Sequence, residues 1–163
     1  MAMKSTSLKF GLTLSLVVLG LVAVANGSVG APLSSIYGRW VVKRLLTTSN
    51  ISVGPRELNA MIGAVAVYSA SRVKFSAPRV RFGVYVVEHP KYHVSRESTD
   101  EFFRDTYLGL PEIGVRGDSV EIIEIHDADD SDVIAPGTTL FIRDRNHIVT
   151  TWDGGYFEMV RHR

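Results

Sequence analysis

The last third of the chain, from Ser119 to Arg161, sets the strongest limit on what this sequence can fold into. It holds four short apolar segments, Val120 to Ile125, Thr139 to Arg143, His147 to Trp152 and Tyr156 to Arg161, separated by turn-forming residues. That spacing predicts an antiparallel meander. Asp153-Gly-Gly155 is a hairpin signal, because Asp and Gly accept the positive φ of a tight turn. The Asp127 to Asp132 run with Pro136-Gly137, and Asp144-Arg-Asn146, supply the other turns. The final strand needs a partner. Gly38 to Leu46, near the other end, alternates in the required way: Trp40 and Val42 share a side with Leu46, and Arg44 is the exception. The expectation is a β-structure closed by its two ends.

Between these ends the pattern predicts more short strands and two short helices. Pro55 to Ile62 opens on proline and is followed by glycine, which reads as a helix of about two turns. Ala64 to Tyr68, Arg72 to Phe75 and Val80 to Val87 read as strands. In the last, Val80, Phe82, Val84 and Val86 share one face, Gly83 marks a bend, and His89-Pro90 ends the run. Tyr92 to Ser95 is expected to pair only briefly. Ser98 and Glu101 form a capping box ahead of an amphipathic helix over Thr99 to Leu108. Ile122 and Ile123 are both apolar, which predicts a bulge or a strand covered on both sides. The fold expected is mainly β: a closed or nearly closed antiparallel up-and-down barrel of about eight short strands with two short helices inserted.

The first 25 residues read differently. Lys4 and Lys9 precede an apolar run from Phe10 to Val24, and Ala23-Val-Ala25 offers a cleavage site. This is the pattern of a secretory signal peptide, with a run too short for a usual membrane span. The expected division is a signal peptide over 1–25, a small-residue lead-in over 26–35 and one domain over 36–163. A secreted or periplasmic location follows. The sequence has no cysteine, so such a domain must be held by core packing alone.

Without Lys4 and Lys9 the chain carries 16 basic and 17 acidic residues, so net charge predicts no nucleic-acid partner. The charge is unevenly placed, with ten Lys and Arg against two acids from Arg39 to Arg96. Asp127 to Asp132 lacks the glycine and distal glutamate of a calcium loop. His89 and His93 have a metal-like spacing, but Pro90 spoils the helix that would align them. Arg116-Gly-Asp118 reads as a turn. No nucleophile elbow, phosphate loop or dinucleotide fingerprint occurs. No catalytic residue, metal ligand or cofactor is assigned.

Gly38-Arg39-Trp40 resembles the Gly-x-Trp start of lipocalins and related barrels, and Arg161 falls where that family places an arginine against the tryptophan. The resemblance is limited to these two ends. It implies a lipocalin-like barrel, with Trp40 and Arg161 stacked where the sheet closes. It also implies a small apolar ligand held inside. Val80, Phe82, Val84, Val86, Phe141, Val149, Phe157 and Met159 are the candidate lining. The alternative is a module of the cell envelope that binds another protein, of inhibitor or immunity type, through its loops and the helix from Thr99.

Overall fold

The computed structural model describes residues 33–50, 52, 54–80, 83–129, 131 and 135–162. The expected signal peptide, most of the lead-in and Phe82 lie outside the described residues. Leu33–Ser35 form a single 3-10 turn, and Ile36 after it is buried.

Among the described residues, nine strands make one sheet. They are β1 Gly38–Thr48, β2 Val65–Tyr68, β3 Arg72–Ala77, β4 Gly83–Glu88, β5 Lys91–Ser98, β6 Ser119–His126, β7 Thr139–Ile142, β8 His147–Trp152 and β9 Gly155–His162. The helices are α1 Pro55–Ala60 and α2 Thr99–Thr106, and a second 3-10 turn spans Leu110–Ile113. The order across the sheet is β4-β3-β2-β1-β9-β8-β7-β6-β5. This is chain order cut between β4 and β5 and joined between β1 and β9. The two ends of the fold therefore do pair, from Arg39 opposite His162 to Thr48 opposite Gly155.

The sheet curls but does not close, and the expected closed barrel of eight strands is corrected on this point. Every neighbouring pair is antiparallel, so along the nine-strand path β4 and β5 point the same way. Only His89 and Pro90 separate them, a link of about 11 Å, too short to carry the chain back beside β4. β5 continues where β4 stops. The two are halves of one bent strand, the first paired with β3 and the second with β6. His89 has φ 51° and Pro90 lacks an N–H, which together stop the ladder at this point. β5 is also longer than expected and pairs with β6 over all eight residues.

β1 carries two register shifts, between Val42 and Arg44 and between Leu45 and Thr47. These bulges bend the strand and change which residues point inward. Leu45 then packs on the concave side and Leu46 on the convex side. Arg44 breaks the alternation for the same reason.

Two cores result. The concave one joins Trp40, Val42, Tyr68, Phe75, Ile123, Leu140, Ile148, Phe157 and Met159 from the sheet with Leu58 and Met61 from α1 and the residue after it. The convex one sets Phe102 of α2, with Leu108, Leu110 and Ile113, over Ile122, Phe141, Val149 and Tyr156. Ile122 and Ile123 are thus buried on opposite faces, and β6 is covered on both sides without a register shift.

The join between the chain ends is fastened by Arg161. Its guanidinium lies 4.3 Å from the centre of the Trp40 ring. It donates to the carbonyl of Tyr37 at 2.8 Å, to that of Arg145 at 3.1 Å and to that of Ser35. Trp40 Nε1 donates to Ile36 O at 2.7 Å. Gly38 has φ 126°, and a Cβ there would stand 3.1 Å from Arg161 Nη1, so glycine fits both the backbone and the approaching arginine.

Two stability predictions follow from this packing. Phe141→Ala and Phe157→Ala should each cost about 3–5 kcal/mol in urea unfolding, although the two rings lie on opposite faces of the sheet. Arg161→Met should cost about 1–3 kcal/mol by the same measurement, from the lost carbonyl contacts and the lost ring contact.

Candidate functional site

The concave side of the sheet is the first place to seek a site. It is filled by large side chains. Trp40, Tyr68, Phe75, Phe157, Met61 and Met159 are each at most 1% exposed. The residues that lead into β7, Ala135, Pro136, Gly137 and Thr138, are buried against this interior. Tyr68 donates its hydroxyl to Gly137 O at 2.9 Å. A Cβ on Gly137 would lie 2.5 Å from the Phe75 ring, so backbone packs directly on the aromatic wall. At another edge, Leu58 of α1 and the Phe157 ring both close on Gly155, where a Cβ would stand 2.8 Å from each.

The candidate lining residues do not share one face. Phe157 and Met159 lie in the concave core, and Val80 packs at its edge. Phe141 and Val149 lie in the convex core beneath α2. Phe102 meets Phe141 edge to face at 5.5 Å. Period two is equally strong on both faces of these strands, so it does not say which side is the interior. Val84 and Val86 point away from the core: Val84 is 55% exposed, whereas Val87 is buried. The chain turns at Val80 and Gly83, with Gly83 N bonded to Val80 O, and the strand starts only there. Tyr85 and Val87, opposite Phe75 and Val73, take the inner positions.

α2 presents a second feature. The capping box forms as the sequence predicts, with Ser98 Oγ accepting from Glu101 N and the Glu101 carboxylate accepting from Ser98 N at 2.8 Å. Phe102 anchors the helix to the sheet. One position on, Phe103 is 53% exposed, and Tyr107, four residues later, is 71% exposed. Their rings meet at 6.4 Å. Two aromatic rings thus stand in solvent, one on the helix and one on the left-handed residue that ends it.

An ion-pair cluster lies on the same convex side. Glu158 of β9 pairs across the sheet with Arg44 of β1 at 2.7 Å, and it also meets Arg143. Arg143 donates a further bond to Gly114 O at 2.9 Å. The Glu158 carboxyl is held below its ordinary value near 4.5 by the hydrogen bond from Arg44 and then that from Arg143, against the opposing effect of burial. The sequence offered one sign of this cluster, Arg44 in an otherwise apolar row. Arg143 and Glu158 come from separate strands and carried no local signal. Among the described residues, no group of three His, Cys, Asp or Glu side chains is placed to hold a metal ion. Among them also, no helix is long and apolar enough to cross a membrane.

A carboxyl lowered by folding adds stability above its unfolded value and loses that contribution as pH falls through the folded one. The stability lost on Glu158→Gln should therefore be largest at neutral pH. It should shrink as pH falls below about 4.5, measured as the difference between the two proteins' urea midpoints across pH.

Compared with known proteins, this chain matches no family model, no curated protein and no solved structure.

Proposed function

We propose that this is an exported binding protein on a lipocalin-like barrel, and that it acts on a protein partner through the outer face of α2. The carrying observation is the exposed pair Phe103, on a helix capped at its start and anchored by Phe102, and Tyr107, the left-handed residue that ends that helix with its N–H on Phe103 O. Aromatic residues on a rigid support are the usual energetic centres of protein interfaces, because they bury much area at little entropic cost. Arg104 and Asp105 beside them are exposed and supply a charged rim. Large side chains in contact across the concave core support this reading over an internal ligand. The amino-terminal pattern of Lys4, Lys9 and Phe10 to Val24 supports a secreted or periplasmic location.

The second reading keeps the small apolar ligand inside the barrel. One observation favours it. Val94 of β5 lies opposite Ile123 on the inward side but is 46% exposed. The missing pairing between β4 and β5 leaves a route toward the concave core at that point.

Phe103→Ser with Tyr107→Ser should leave the unfolding free energy within about 0.5 kcal/mol of the parent, because both rings are largely in solvent. The double variant should lose every envelope protein that the parent captures in a paired pull-down. Capture that survives the double variant argues against the α2 face. Saturable displacement of a fluorescent fatty acid by the parent protein would instead favour the internal ligand.

A further inference from the structure

We propose that a cleft at the mouth of the curled sheet binds an oxyanion, a phosphate or carboxylate group of a small molecule. The cleft has a volume of about 280 Å³, and Arg96, Arg116, Arg143, Ser119, Glu121 and Ile142 line it. It lies at the end of the sheet where β5 stops, β6 begins and β7 ends.

Three guanidiniums reach this cleft from three separate parts of the chain: β5, the link that enters β6, and the end of β7. One carboxylate, Glu121, shares the lining, and Glu158 behind it is shared between Arg143 and Arg44. Four guanidiniums against two carboxylates leave positive charge in excess. Like charges gathered at one cleft repel each other, and an anion seated among them relieves that repulsion. Guanidinium groups suit this role, since their planar forks match the oxygen pairs of carboxylate and phosphate.

The site is partly preorganised. Arg143 is held from behind by Gly114 O and by Glu158, and its side chain is only 18% exposed. A Cβ on Gly114 would fall 2.7 Å from Arg143 Cζ, so the guanidinium lies flat on the backbone in one orientation. Those two contacts leave donors of the group free to face the cleft. Arg96 is looser. It stands 3.9 Å from Glu121 and its side chain is 51% exposed, so it can swing onto a bound group at small cost. Glu121, 8% exposed, forms part of the wall and repels an anion from its own side. That directs the bound group toward Arg116 and Arg143. The volume falls at the low end for small-molecule pockets, which suits a compact anion better than a lipid.

Isothermal titration of the mature chain with inorganic phosphate, and separately with succinate, tests the proposal. At least one should bind saturably at one site, with a Kd near or below about 1 mM. Phosphate binding alone assigns the site to a phosphorylated molecule, and succinate binding alone to a carboxylated one. Arg116→Gln and Arg96→Gln, both at exposed side chains, should each weaken binding by about tenfold or more. Arg39→Gln, on β1 and outside the cleft, should leave it unchanged. No saturable heat with either anion overturns the proposal, and so does binding unaltered in the Arg96→Gln, Arg116→Gln double variant.

Discussion

The pairing of β1 with β9 is the contact on which the rest of the structure depends. It joins residues as far apart in sequence as Arg39 and His162. Closing so long a loop costs entropy before any contact rewards it. The reward is concentrated at one place. Arg161 stacks on Trp40 and satisfies the carbonyls of Ser35 and Tyr37 at the turn into β1 and that of Arg145 in the turn between β7 and β8. Gly38 allows the arginine to approach. With this join made, every other strand pairs with a neighbour in sequence, and the sheet order follows from chain order.

The convex core makes the sheet a shared wall. A half-buried sheet would show one apolar face per strand. Here β6 to β9 are apolar on both faces, because α2 and the Leu110–Ile113 turn cover the outside. The covering fixes two features at once. It mounts Phe103 on a helix that cannot rotate without exposing Phe102, with Tyr107 at the cap that ends it. It also brings the Gly114 carbonyl to Arg143, which orients a guanidinium shared by the Glu158 cluster and the mouth cleft. Packing on one side of the sheet thus sets the electrostatics at its edge.

Much of this was legible in the residues, for local reasons. The Asp153-Gly154 turn, the Ser98 capping box, the proline start of α1 and the doubled Ile122-Ile123 each depend on neighbours in sequence, and each is found. The inward or outward sense of a strand is a different matter. Phe141 and Val149 alternate as well as Phe157 and Met159 do, and only the helix packed outside tells the two faces apart. Val84 and Val86 were assigned inward on a run starting at Val80, but the turn at Gly83 resets the phase. The arginine cleft was not legible at all. Arg96, Arg116 and Arg143 are spread over 48 residues, and Arg116-Gly-Asp118 reads locally as nothing more than a turn.

The bent strand ties these features together. A barrel has no free edge, whereas among the described residues this curled sheet leaves β4 and β5 each unpaired along one side. Continuing β5 past the end of β4 is what creates the opening, since the segment that would have flanked β4 pairs with β6 instead. Val94 is exposed for that reason, and the mouth cleft lies farther along, at the end of β5. The interior can be densely packed, as Tyr68, Phe75 and Gly137 are, while the edge stays open. In a chain built this way, binding chemistry is better placed at the rim and on the outer helix than in the centre. Side chains at the rim change without disturbing the core, whereas an internal ligand would have to displace aromatic rings already in contact.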